Sequence, residues 1–159
     1  MKTLIAGPGR KGVHTLLHPL YLALGNTLRG HQWIVTDLET QTKPPHLMAG
    51  HAPEPQLLTD AQFAVLLELD ELQFIWAVFT ALDPAQPIDL SRLPVKPWAD
   101  GNRAVWDPDA GPQFPGAFLE IVCFDSSETI VTTSDKSVHA KLRAYFPEAR
   151  PMPPLRPRD

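Results

Sequence analysis

The stretch Phe118-Leu-Glu-Ile-Val-Cys-Phe-Asp-Ser-Ser-Glu-Thr-Ile-Val-Thr-Thr133 limits the possible folds more than any other part of this chain. An apolar run, a polar turn and a β-branched return read as a hairpin. With Ser126 and Ser127 at the tip, Phe124 faces Thr129, Val122 faces Val131 and Glu120 faces Thr133. Leu119, Ile121 and Cys123 then share the other face with Ile130 and Thr132. Both faces are mostly apolar, so the hairpin belongs inside a sheet covered on at least one side. Leu72 to Leu82, rich in aromatic and β-branched residues, reads as a central strand beside it.

Other elements follow from shorter signals. Lys2 to Ala6 and Gln32 to Asp37 are strand candidates. Val13 to Asn26 has helical apolar spacing, with Pro19 expected to kink or split it and Gly25 or Gly30 to end it. Thr59-Asp-Ala-Gln62 has the pattern of a capping box opening a helix to about Glu68. Ser134 is a candidate N-cap for a helix over 135–146, closed by Pro147. The expectation is a single α+β domain over 1–149: a mostly antiparallel sheet of about five strands with three helices. A mixed sheet, its first two strands parallel around the first helix, is the alternative. Residues 150–159 read as a Pro-rich mobile tail.

Two segments are proline-punctuated: 38–57, a surface loop, and 83–115, which holds seven of the chain's 18 prolines. A long irregular stretch inside a compact domain is usually functional or disordered. Trp98 and Trp106 argue for order in 83–115, because aromatic side chains anchor loops to a core.

Several chemistries can be weighed. Gly7-x-Gly9-x-x-Gly12, after a strand and before a helix, with Asp37 closing the next strand, matches a dinucleotide-binding turn. In that reading backbone amides at a helix N-terminus hold phosphate and Asp37 binds a ribose hydroxyl. Pro8 removes one such amide, and Lys11 crowds the third glycine. His14 and His18, four apart on a helix, could face one metal, but a third ligand must come from His31, His46, His51 or His139. Cys123 reads as a small core residue and Ser126-Ser127 as turn chemistry. Glu120, in a mostly apolar strand, needs a partner, with Lys136, Lys141, Arg103 or a histidine as candidates; alone and buried it would be a candidate acid or base. No catalytic residue, metal or cofactor is assigned.

Charge supplies the remaining signal. The net −4 divides into five basic and two acidic residues over 1–53, three and thirteen over 54–128, and six and three over 129–159. The acids of the middle include Asp100, Asp107 and Asp109, which with Asn102 stand beside Trp98 and Trp106. Aromatic anchors ringed by acids suit a basic protein partner and repel nucleic acid. One cysteine permits no internal disulfide, no apolar run reaches the ~18 residues of a membrane span, and a cytoplasmic location is the default expectation.

The glycine-bearing turn, Trp33, Gln73-Phe-Ile-Trp-Ala-Val78 and Leu119-Glu-Ile-Val-Cys-Phe-Asp-Ser-Ser127 occur in an order and spacing that resembles a family of small uncharacterised bacterial cytosolic proteins. That resemblance carries no catalytic signature. Size and acidity are shared with small bacterial immunity partners that block a toxin, and the acidic middle with the Trp98–Asp109 loop makes a non-enzymatic binding or inhibitor protein the leading expectation. A nucleotide- or phosphate-ligand-binding protein using Gly7–Gly12 is the alternative.

Overall fold

The structure, a computed structural model, describes residues 1–7, 14–47 and 55–154. In chain order the elements are β1 (Lys2–Ile5), α1 (Leu17–Leu24), β2 (Gln32–Thr40), β3 (Gln56–Leu58), α2 (Asp60–Leu67), β4 (Phe74–Leu82), β5 (Leu119–Phe124), β6 (Glu128–Thr133), α3 (Lys136–Tyr145) and β7 (Ala149–Pro151). The fold is α+β, and the seven strands of the described residues form one antiparallel sheet in the order β3-β2-β4-β5-β6-β1-β7. The mixed-sheet alternative is not built, because β6, β5 and β4 stand between β1 and β2. The two strands beyond the expected five are β3 and β7, each three residues long and too short to show a period. β7 occupies the start of the expected tail: Arg150 pairs with Leu4, and Met152 is buried.

The hairpin forms with its register one residue away from expectation. Phe124 faces Glu128, Val122 faces Ile130 and Glu120 faces Thr132. Asp125 and Ser126 both take positive φ, 46° and 60°, and the Ser127 amide closes the turn on the Phe124 carbonyl at 3.1 Å. The tip is therefore Asp125-Ser126, a turn of the primed type whose twist suits a hairpin, with Ser127 as the extra residue. A shift of one exchanges the faces of the whole return strand. Val131 joins Ile121 and Cys123 on one face, and Ile130 joins Val122 on the other.

Helices cover the first of these faces. Trp33, Val35, Ala77, Phe79, Ile121 and Val131 meet Leu17, Leu20 and Leu24 of α1, Phe63, Leu66 and Leu67 of α2, and Val138 and Leu142 of α3. Phe63 stacks on Trp33 with ring centroids 3.9 Å apart and reaches Phe79 at 5.7 Å. Pro19 does not kink α1, because the helix begins only at Leu17 and Pro19 falls in its first turn, where a missing N–H costs nothing. The capping box forms as read: Thr59 Oγ1 accepts from the Gln62 amide at 3.2 Å, and Gln62 Oε1 accepts from the Thr59 amide at 2.9 Å. At α3 the cap is Asp135 rather than Ser134, its Oδ1 accepting from the Ser137 amide at 2.8 Å. No described helix is long and apolar enough to cross a membrane.

Beneath α3 lies His139, fully buried. Its Nε2 sits 3.1 Å from the Thr133 carbonyl, so that nitrogen must carry the proton, and Nδ1 accepts from the Thr3 hydroxyl at 2.7 Å. Burial, above all, holds its pKa below the ordinary value of 6.5. Because the unfolded chain binds this proton more readily, His139 contributes stability that is complete above about pH 6.5 and is lost as pH falls from there towards the folded pKa. The fall in urea midpoint between pH 7.5 and 5.5 should therefore be smaller in His139→Phe than in wild type, although the variant is less stable at both. Equal falls in both proteins would contradict this.

Candidate functional site

The second face of the sheet carries an irregular cover, residues 83–118. Prolines deny this segment regular backbone pairing, so polar side chains on the sheet hold it instead. Thr36 Oγ1 donates to the Pro97 carbonyl at 2.6 Å. Asp37, at a bulge in β2 with φ 52°, turns its Oδ2 to accept from the Ala99 and Asp100 amides at 2.7 and 3.1 Å. Lys2 Nζ donates to the carbonyls of Ala104 and Val105 at 2.5 and 2.9 Å. Glu120 accepts from the Gln113 amide at 2.9 Å and from its Nε2 at 3.3 Å. Val105 and Ala99 pack on Leu4, Val78, Val122 and Ile130, and Phe114 packs on Ile34 and Leu82.

These anchors have an order. Pairing places Lys2, Thr132, Glu120, Thr80 and Ile34 in one row across five strands. Lys2 is 4% exposed and Glu120 2%. Burial dominates both groups, lowering the pKa of Lys2 and raising that of Glu120, while their mutual attraction opposes each shift. The partner foreseen for Glu120 among Lys136, Lys141, Arg103 and the histidines is thus corrected: Gln113 bonds it, and Lys2 attracts it from across β6. Because both Glu120 oxygens accept hydrogen bonds from Gln113, the carboxylate acts as an anchor for the cover. In the same row Thr80 Oγ1 is buried and has no hydrogen-bond partner among the described residues. Thr80→Val keeps the shape and removes that desolvated hydroxyl, so it should raise stability by about 1 kcal/mol in urea titration. Destabilisation would show that the hydroxyl is bonded.

Gln113 is the hub above this row. Its Oε1 accepts from the Trp98 amide at 3.0 Å and from Asn102 Nδ2 at 2.8 Å. Asn102, expected to face a partner, is buried and fully used within the loop: Nδ2 also donates to the Trp98 carbonyl at 2.9 Å, and Oδ1 accepts from the Ala104 amide at 3.0 Å. Trp106 is half-buried, edge-on to Phe124 at 4.8 Å, and Phe124 meets Trp76 at 4.5 Å in the same manner. Asp107 turns its Oδ1 to the Asp109 amide at 3.0 Å and attracts Lys2 from above. Trp98, Asp100 and Asp109 remain exposed, with Trp98 at 48%. Of the six residues singled out, three face solvent and three serve the frame.

The residues of the nucleotide reading are not brought together. Gly7 follows β1 and Asp37 lies in β2, four inter-strand spacings apart, or about 19 Å. A dinucleotide site requires those strands to be parallel neighbours, and the Asp37 carboxylate already holds the cover. Gly9 and Gly12 lie outside the described residues. His14 precedes α1 instead of sharing it with His18: its Nε2 meets the Gly7 carbonyl at 3.0 Å and its Nδ1 meets Glu148 at 3.4 Å, while His18 bonds the Leu67 carbonyl. Among the described residues no group of three or more His, Cys, Asp and Glu is placed to hold a metal ion. Cys123 is fully buried, and burial pushes its thiol pKa far up, as expected of a core residue.

No protein-family model matches this chain, and no curated protein or solved structure is detectably similar to it. The layout resemblance to small bacterial proteins therefore rests on the sequence alone, and any functional reading rests on the cover and its supports. Lys2 and Gln113 were not foreseen. The available signal was a lysine in a strand otherwise apolar on its face, facing a sheet that also holds a lone glutamate.

Proposed function

We propose that this chain is a non-enzymatic binding protein that presents Trp98 and its neighbouring acids to a basic protein partner. The observation that carries the reading is an indole 48% exposed on backbone held at both ends: the Trp98 amide and carbonyl are each bonded, and the next two amides are bonded by Asp37. A large aromatic fixed in place loses little conformational freedom on binding, which is the property of an affinity anchor. Asp100 is exposed beside it, in the part of the sequence that holds thirteen acids against three bases. The charges hasten encounter, and the ring sets the lifetime of the complex. An inhibitor of the immunity type would use such a surface.

A tryptophan-free peptide rich in Lys and Arg provides the test. Titrating it into the protein should change tryptophan emission, and the change should weaken with added salt. Asp100→Lys should slow association at low salt, and Trp98→Ala should hasten dissociation at least about tenfold, the equivalent of a 1.4 kcal/mol contact. Binding unaltered by either substitution would remove this surface from consideration. The phosphate-ligand alternative predicts instead a raised melting temperature with NAD or ATP.

A further inference from the structure

We propose that a second copy of this chain docks on the helical face, on the opposite side of the sheet from the cover, about a two-fold axis lying along α1. α1 lies between the other two helices: α2 packs beside it over β2 and β3, and α3 packs beside it over β1 and β7. Its sequence, Leu-His-Pro-Leu-Tyr-Leu-Ala-Leu, has no Asp, Glu, Lys or Arg, its one histidine bonds the Leu67 carbonyl, and Leu22 is 56% exposed. Val65 on α2 and Tyr145 on α3 are also exposed, so each helix of the layer shows solvent a large apolar side chain.

The flanks differ in sign. Beyond α1 on one side, the end of α2 and its following turn expose Glu68, Asp70 and Glu71. On the other side α3 exposes Lys136 and Arg143, besides Lys141, whose Nζ bonds Thr27. A two-fold axis along α1 lays the α2 of one copy over the α3 of the other. An axis across α1 would lay acid on acid, so charge selects the first arrangement. Levels match as well. α2 and α3 each follow a strand and precede a strand of one common direction, β3 and β4 for α2, β6 and β7 for α3, so the two helices run the same way. The C-terminal end of α2 with Glu68 then meets the last turn of α3 with Arg143, twice in each dimer. Both covers face outward in this assembly, which offers a multivalent partner two Trp98 anchors.

Sedimentation equilibrium of the full chain tests the proposal. A reversible dimer of twice 17.6 kDa is expected, weakening with salt. Leu22→Glu should weaken it at least about tenfold, since each substitution acts twice across a two-fold interface. Arg143→Glu should weaken it, and adding Glu68→Lys to that variant should restore it. Trp98→Ala should leave it unchanged. Far-UV circular dichroism establishes that the surface variants are folded. A monomer at every concentration up to the solubility limit would overturn the proposal, and so would a dimer indifferent to Leu22→Glu or not restored by the charge exchange.

Discussion

Glu120→Ala is expected to destabilise the fold by about 4 kcal/mol and to release the cover from the sheet. The substitution removes one of the two carboxylates, Glu120 and Asp107, that attract the buried Lys2 ammonium, and each hydrogen bond lost to a charged group costs about 1.5–3 kcal/mol. It also leaves two Gln113 donors without their acceptor. Urea denaturation measures the loss, and limited proteolysis between 83 and 118 measures the release. The pair itself is not the source of the stability, because two desolvated charges rarely gain more than they lose. Lys2→Met combined with Glu120→Leu should therefore cost clearly less than the two single changes added together. Additive losses would show that the two charges act independently.

Phe63→Ala should cost a similar amount, about 4 kcal/mol, for a different reason. Its ring is fully buried between Trp33 and Phe79, and truncation opens a cavity that the rigid sheet beneath cannot collapse to fill. Loss here is global: the urea midpoint falls, with no selective cleavage of the cover. A cost near 1 kcal/mol would mean that α2 settles into the gap. Comparing the two variants separates the core, which holds the fold, from the polar row, which holds the cover.

Those two layers differed in how far the sequence disclosed them. The central strands, the Thr59 capping box and the buried Val138–Leu142 stripe of α3 are local patterns, and local patterns survive folding. The hairpin was legible as a hairpin, but its register depended on Asp125 and Ser126 entering the left-handed region, which a polar turn sequence permits without dictating. The helical apolar spacing starts at Val13, ahead of α1, whose start at Leu17 puts Pro19 in a first turn, where proline is at ease, instead of at a break within a longer helix. The cover could be recognised as ordered from its tryptophans, yet their roles divide: Trp106 anchors and Trp98 stands out. Nothing local to Asn102 or Gln113 announces that they bond each other, and Lys2 meets Val105 only because the sheet order brings residues 103 positions apart together. Gly7 and Asp37, by contrast, had the right spacing along the chain and were separated by the three strands inserted between theirs.

Presentation of Trp98 requires the cover to be a fixed layer, and native-state hydrogen exchange at the amides of Trp98, Ala99 and Asp100 measures this directly. Bonded to Gln113 and Asp37, these amides should exchange at least about a hundredfold more slowly than in the unfolded chain, corresponding to local opening that costs some 3 kcal/mol. In Glu120→Ala the protection of these three amides should collapse to that of an unstructured peptide, while amides of β4 and β5 lose only what the fall in global stability removes. Exchange of Ala99 and Asp100 in the wild-type protein at the rate of an unstructured peptide would contradict the account.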